Sequence, residues 1–445
     1  MKYLENKIVI ITGAGFSAPA NLPIQDKILE EMMEAPSIDF MNLEPKGESI
    51  KFLTAFVKVA CYLLKEYSDY NVSDLEKEIQ ELENARSAND RVGKLLDFMH
   101  EQYKSQAFNK EFNLSKILDE VADRYIIDSN EYCVMLLGLK ERLRRELERK
   151  KIRVSLEDIF TSFDKSINTR ENTMNYTYTQ MDGLQHSILR LFVYYFSEKT
   201  NEHSYQSEDY LEVINFIKNN IDRVSVITTN WDVLLERYLL QSELAFDYKF
   251  NSDYVIDNNY ANIHGGTQNV DHVNLMKIHG SINWFRCLRC GTLQVCNVQE
   301  CGQYLFDDLK KEKCNMCGQV AHGSSVQMQP EIITPTMLKT INGQLYNNIW
   351  QNAAYELQNA DKVIFCGYSL PTADFEFRYL LKQNINPKAS IDIVLYHNDD
   401  PNVLSKESSI RSLLPERRYK DLFSNNECVF YYEGFGKYFA DMNGD

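Results

Sequence analysis

Short runs of unbroken apolar residues, each ending in a polar or glycine-rich loop, constrain this chain more than any other feature. Lys7-Ile-Val-Ile-Ile-Thr12 runs into Gly13-Ala14-Gly15, and Arg223-Val-Ser-Val-Ile-Thr-Thr229 runs into Asn230-Trp231-Asp232. Lys362-Val-Ile-Phe-Cys366 runs into Gly367, and Ser390-Ile-Asp-Ile-Val-Leu-Tyr396 is a fourth copy. Continuous apolar strands that alternate with helix-like stretches, such as VLLERYLLQ after the second run, are the mark of a parallel sheet covered on both faces. The expected fold is therefore α/β, with an open doubly wound parallel sheet.

Between the first and second runs the pattern changes. SDLEKEIQELENA and YCVMLLGLKERLRRELERKKI carry apolar residues at helical spacing, so residues 31–205 are expected to form a large helical insertion or subdomain. Amphipathic helices of this kind either pack on their own domain or supply contacts to a partner. The sheet domain would be discontinuous, over 1–30, 206–275 and 330–445, with a cysteine-rich module at 276–329.

At 445 residues and 44% hydrophobic content the chain can bury a sizeable core. No stretch approaches the eighteen or more uncharged apolar residues of a membrane helix, and MKYLENKIVIITGAGFSA leads into a glycine loop instead of a cleavage site. A cytoplasmic protein without membrane contact is expected. The net charge of −16 opposes direct nucleic-acid binding, because Lys and Arg neutralising phosphates supply most of that affinity.

Six of the ten cysteines fall between residues 287 and 317. Such crowding points to a metal and not to a disulfide framework. Cys287-x-x-Cys290 and Cys314-x-x-Cys317 have the spacing of two knuckles that together hold one tetrahedral zinc, a closed structural site with no position for water. Cys296 and Cys301, inside the interval, either replace one knuckle pair or stay free.

Two further motifs sit at strand ends and a third in a short loop. In Gly13-Ala14-Gly15-Phe16-Ser17 the glycines allow close backbone approach to a phosphate, and a following helix N-terminus would favour an anion. A glycine turn is equally an ordinary strand-to-helix connection, and the spacing is not that of the GxGxxG fingerprint. In Thr228-Thr229-Asn230-Trp231-Asp232, Asn230 and Asp232 could bond a substrate sugar beyond the strand end, or cap the next helix. In Lys277-Ile278-His279-Gly280, the histidine has the intrinsic pKa of a general base, and His264-Gly265 is a near-copy.

GAGFSA, TTNWD, KIHGSINW, two CxxC pairs and FCGYSLPTAD occur in an order that resembles the sirtuin family, over residues 7–30 and about 210–400. The resemblance implies a Rossmann-like core that binds NAD. Gly13, Ala14, Gly15 and Ser17 would line the pyrophosphate and ribose, with Thr229 among the cofactor-binding residues. Asn230 and Asp232 match the family's Asn and Asp, and His279 its catalytic histidine. Gly367 and Ser369 match the turn that holds the adenine-side ribose, with Asn398 as a looser adenosine contact and Asp374 as a further one.

The family's deacylases carry Gly-Ile-Pro-Asp-Phe-Arg after the glycine loop, where this chain has Asn21-Leu22-Pro23-Ile24-Gln25-Asp26. Without the shielding Phe, water becomes the favoured acceptor of the ribosyl cation. The resemblance thus implies an NAD glycohydrolase, akin to sirtuin-like effectors of anti-phage defence that deplete NAD, form homo-oligomers and in some cases pair with a HerA-type ring ATPase. This chain carries no P-loop, so such a motor would be a separate partner. A protein-lysine deacylase and a non-catalytic scaffold that binds NAD or ADP-ribose are the competing readings.

Overall fold

The computed structural model describes residues 6–23, 25–34, 47–82, 84, 129–152, 154–172, 176–250, 272–287, 289–298, 301, 328–336, 344–371, 373–395 and 415–444. The strands are β1 (Ile8–Thr12), β2 (Val224–Thr228), β3 (Ala245–Asp247), β4 (His272–Lys277), β5 (Gly280–Cys287), β6 (Leu293–Val295), β7 (Met328–Ile332), β8 (Lys362–Cys366), β9 (Ser390–Val394) and β10 (Cys428–Tyr431). Seven of them form one sheet in the order β10-β9-β8-β1-β2-β4-β3, and all of its neighbouring pairs run parallel.

The four sequence runs become β1, β2, β8 and β9. Every residue of β1 and β2 is buried, as expected of strands covered on both faces. β3, β4 and β10 were not anticipated, being short or broken by polar residues such as His272 and Asn274. β4 also runs through the boundary expected at residue 275, so the sheet domain continues to Lys277.

Because β1 and β2 are neighbours, residues 13–223 make up one long crossover. Its described part is mainly helical: Gln25–Glu34, Gly47–Tyr67, 73–82, Ser129–Lys150, Leu156–Thr169, Tyr178–Glu202 and Glu208–Asn219. Local sequence sets the helix starts. Ser155 accepts from the Asp158 amide, and Thr177 forms a reciprocal capping box with Gln180.

The helix Gly47–Tyr67 packs on Ser129–Lys150 and on Tyr178–Glu202, and Leu156–Thr169 also packs on Tyr178–Glu202, together burying Phe56, Leu64, Leu143, Phe163 and Phe192. Each such side chain contributes roughly 1.5–3 kcal/mol relative to exposure. Among the described residues, no helix is long and apolar enough to cross a membrane.

Immediately after β1 the structure departs from expectation. The segment is a single helical turn, Ala14–Ser17, followed by a 3-10 turn over Ala18–Ala20 and a left-handed Asn21. Pro19 lies at the start of that second turn and cannot donate the amide that would extend the first.

β5, β6 and β7 form a separate antiparallel sheet in the order β6-β5-β7. It grows directly out of β4, with only Ile278 and His279 between the two sheets.

Candidate functional site

Register places the carboxyl ends of the central strands along one rim. Thr12 is opposite both Thr228 and Cys366, Thr228 is opposite Lys277, and Cys366 is opposite Val394. From β1 the chain first builds outward on one side through β2, β4 and β3, then returns to lay β8 against the other side of β1. The strand order therefore reverses between β1 and β8, and crevices at such switch points hold the ligands of open α/β sheets.

The two loops at this point touch backbone to backbone. Gly13 donates its amide to Cys366 O at 3.1 Å, and Gly15 donates to Gly367 O at 2.8 Å. A Cβ on Gly15 would lie 2.8 Å from Gly367 O, and one on Gly367, whose φ is +64°, would lie 2.2 Å from the Phe16 nitrogen. Gly15 and Gly367 are thus required by the packing of one loop on the other. The phosphate-cradling role expected for the Gly13 and Gly15 amides meets competition, since both already donate to carbonyl oxygens.

The side chains above these loops converge. Asn230 Nδ2 donates to Gly13 O at 2.9 Å and to Ser17 Oγ at 3.0 Å. Ser17 Oγ in turn donates to Asp232 Oδ2 at 2.8 Å, and Asp232 Oδ1 accepts from the Leu234 amide at 3.1 Å. Asp232 therefore anchors Ser17 and holds the first amide of the helix Leu234–Gln241 with the same carboxylate, while Val233 occupies the N-cap position. Thr229 donates its amide to Thr12 O at 3.1 Å, which continues the β1–β2 pairing into the loop.

Phe16 turns inward, its ring edge-on to Tyr210 at 5.2 Å, while the Tyr210 hydroxyl donates to Phe16 O at 2.7 Å. Trp231 stacks on Phe192 of the helix Tyr178–Glu202 with ring centroids 5.8 Å apart. The helical crossover thus braces the loop that carries Asn230.

His279 enters from the neighbouring strand. Ile278 donates its amide to Thr228 O at 3.1 Å, and Ile282 donates to Trp231 O at 2.9 Å, so the loop 278–282 is pinned beside the loop 229–232. Gly280 follows because its φ is +80° and a Cβ there would sit 2.2 Å from Glu331 O of β7. His279 is only 7% exposed, and its Nε2 lies 3.8 Å from Asp374 Oδ1.

Other expected residues fare differently. Gly367 is half-buried at the switch point, but Ser369 is exposed, with its carbonyl accepting from Arg418 at 3.0 Å. Asn398 and His264 lie outside the described residues, as do Cys314 and Cys317.

Cys287 and Cys290 flank a tight turn in which Gly291, at φ +72°, donates its amide to Cys287 O at 2.9 Å. Cys287 then donates its own amide to Thr292 O at 2.9 Å. Cys287 is buried and Cys290 exposed, and among the described residues no cluster of three or more His, Cys, Asp or Glu side chains is placed to hold a metal ion. Cys296 and Cys301 are both buried.

A buried network was missed by motif reading. Lys277 donates to Glu236 and to the carbonyl of Asp232, Tyr248 donates to Glu236 Oε1, and Asn283 donates to the Tyr248 hydroxyl. Burial pushes the Glu236 carboxyl up, against the pull of Lys277. The available signal was a lysine between the apolar Leu275-Met276 and the Ile-His-Gly loop.

No protein-family profile and no curated protein sequence matches this chain. Among solved structures it is similar to a sirtuin described for its substrate affinity, with 12% identity, TM-score 0.33, and coverage of 98% of this chain and 95% of that one. It is also similar to a Sir2 homologue solved with NAD, at 15% identity, TM-score 0.28 and coverage of 56% and 80%. A third, Sir2Tm bound to a propionylated peptide, shows 14% identity, TM-score 0.32 and coverage of 59% and 82%. At such identities and TM-scores, what this chain does has to be read from its own residues.

Proposed function

We propose that this protein is a sirtuin-like NAD glycohydrolase, cleaving NAD to nicotinamide and ADP-ribose. The observation that carries the reading is the fixed Asn230 amide at the switch point, held by Gly13 O and Ser17 Oγ, with His279 on the adjoining loop. Once its Nδ2 group is used internally, Asn230 presents Oδ1 as an oriented acceptor for a water or a ribose hydroxyl. His279 accepts a proton from the attacking water or the ribose, a contribution of roughly 10²- to 10⁴-fold in rate.

The reaction balances simply. The bond between nicotinamide nitrogen and ribose C1′ breaks with its electron pair on nicotinamide, and a water oxygen bonds to C1′. One water proton leaves through the base to solvent. Ser17 and Asp232 hold Asn230 in place, and Gly13, Ala14, Gly15, Thr229, Gly367, Ser369 and Asn398 are assigned to the dinucleotide. A zinc held by Cys287, Cys290, Cys314 and Cys317 would supply structure only.

Purified full-length protein, alone and with any co-encoded partner, is incubated with NAD and nicotinamide is quantified. Release from NAD alone, lost in Asn230→Ala and His279→Ala, supports the reading. Release that requires an acylated peptide indicates a deacylase, and tight binding of NAD without turnover indicates a scaffold. We further propose a cytoplasmic homo-oligomer that acts in anti-phage defence by NAD depletion, with a HerA-type ring ATPase as partner. Native mass measurement with and without that ATPase tests the assembly.

A further inference from the structure

Asp374 occupies the N-cap position of the helix Phe375–Asn384, where an aspartate ordinarily accepts from the first-turn amides, yet it makes no such bond. Its side chain turns away from the helix. Oδ2 accepts from the Tyr368 hydroxyl at 3.0 Å, and Oδ1 lies 3.8 Å from His279 Nε2. Asp374 is 9% exposed and Tyr368 is 3% exposed, so the carboxylate sits where water screens it little.

Tyr368 is itself held. Tyr419 donates its hydroxyl to Tyr368 O at 2.6 Å, and Leu370, at φ +50°, turns the chain between Tyr368 and Asp374. Burial, with Asp374 beside it, pushes the Tyr368 phenol well up, so it stays protonated and serves as the donor. The Arg378 guanidinium, one turn along the helix, partly opposes that rise in the Tyr368 phenol, and its backbone amide donates to Asp374 O.

We infer that Asp374 is the positioning residue of His279: its carboxylate, 3.8 Å from Nε2, draws the imidazole proton to that nitrogen and so fixes the tautomer, while Tyr368 holds the carboxylate. This rests on the reading of His279 as the base in NAD hydrolysis. A carboxylate on one ring nitrogen leaves the lone pair on the other, Nδ1, and stabilises the imidazolium that forms when Nδ1 takes a proton. Asp374 itself neither gains nor loses a proton over the cycle. The loops after β4 and β8 thereby contribute base and orienter to one pair.

The test uses the full chain carrying ¹⁵N-labelled histidine, with the His279 signals assigned through His279→Gln. In wild type the His279 spectrum reports the Nε2–H tautomer, and in Asp374→Asn it reports a mixture or the Nδ1–H form. In turnover assays Asp374→Asn loses roughly 10²-fold or more of kcat, bounded by the general-base contribution it supports, with KM within about threefold. Asp374→Glu restores part of that loss. Tyr368→Phe, which keeps the ring packing, shows a smaller kcat loss and guards against a folding artefact in Asp374→Asn.

An unchanged tautomer in Asp374→Asn, or equal loss of ADP-ribose binding and of kcat, overturns the assignment. If wild type releases no nicotinamide, the hydrolase reading fails, and the tautomer measurement still decides whether Asp374 orients His279.

Discussion

Lys277 Nζ sits 2.7 Å from Glu236 Oε1, and the two side chains are 1% and 2% exposed. The same ammonium donates to the carbonyl of Asp232, so a buried ion pair anchors the loop that carries Asn230. Breaking one partner of such a pair leaves an uncompensated charge, whereas replacing both with apolar groups can leave stability nearly unchanged.

Lys277→Met is accordingly expected to lower unfolding free energy by about 3–5 kcal/mol, and Lys277→Met combined with Glu236→Leu to recover most of it. Denaturant titration of the single and double variants measures this. The double variant should still turn NAD over poorly, because Asp232 O has lost its donor. Wild-type turnover in the double variant would contradict the anchoring role.

Gly367 and Gly291 separate backbone strain from steric contact. Both have positive φ, at +64° and +72°, but a Cβ on Gly367 meets Phe16 N at 2.2 Å while one on Gly291 meets nothing within 4 Å. Gly291→Ala should cost only the left-handed backbone penalty, about 1–2 kcal/mol. Gly367→Ala should cost clearly more and separate the β1 and β8 loops. Equal denaturation midpoints for the two variants would rule out the close approach.

His203 gives the protein a pH-dependent component of stability. Its Nε2 lies 2.8 Å from the Tyr238 hydroxyl, and burial, then Arg237, holds its pKa below the ordinary 6.5. As pH falls below the unfolded value of about 6.5, the unfolded chain binds the proton first. Stability from this group is therefore complete above that pH and declines as pH drops through the depressed folded value. His203→Gln should show a shallower loss of denaturation midpoint between pH 7.5 and pH 5.5; identical slopes would remove His203 as the cause.

Metal content tests the cysteine-rich module. Elemental analysis of the purified protein should find about one zinc per chain, lost in Cys287→Ser and in Cys290→Ser. Cys61→Ser should keep it, because Cys61 is buried within the helix Gly47–Tyr67 and stands outside the cysteine-rich stretch 287–317. A full zinc complement in both knuckle variants would exclude Cys287 and Cys290 as ligands.

Unbroken apolar runs were enough to identify β1, β2, β8 and β9, because strands buried on both faces must be apolar throughout. Helical periodicity likewise marked the crossover between β1 and β2. β3 and β10, with alternating or partial burial and three or four residues each, carry too little pattern to be distinguished from loops. The one-turn helix after β1 was hidden for a related reason: Pro19 and the approach of Gly367 cut short what a glycine turn normally begins.

The sequence by itself determined which residues stand at strand ends, since the alternation of apolar run and polar loop is a one-dimensional property. Thr229, Asn230, Asp232 and Gly367 were legible on that basis, whereas His279 stood out only as a histidine before a glycine in a short loop. Only the tertiary structure decided which of them meet. Gly13 and Gly15 contact Gly367 because strand order reverses between β1 and β8, and Asp374 reaches His279 because its side chain leaves the cap position for Tyr368. Such pairings join residues separated by some 95 to 350 positions, and no local pattern records them. They arise from strand order and from the need of buried polar groups to find partners.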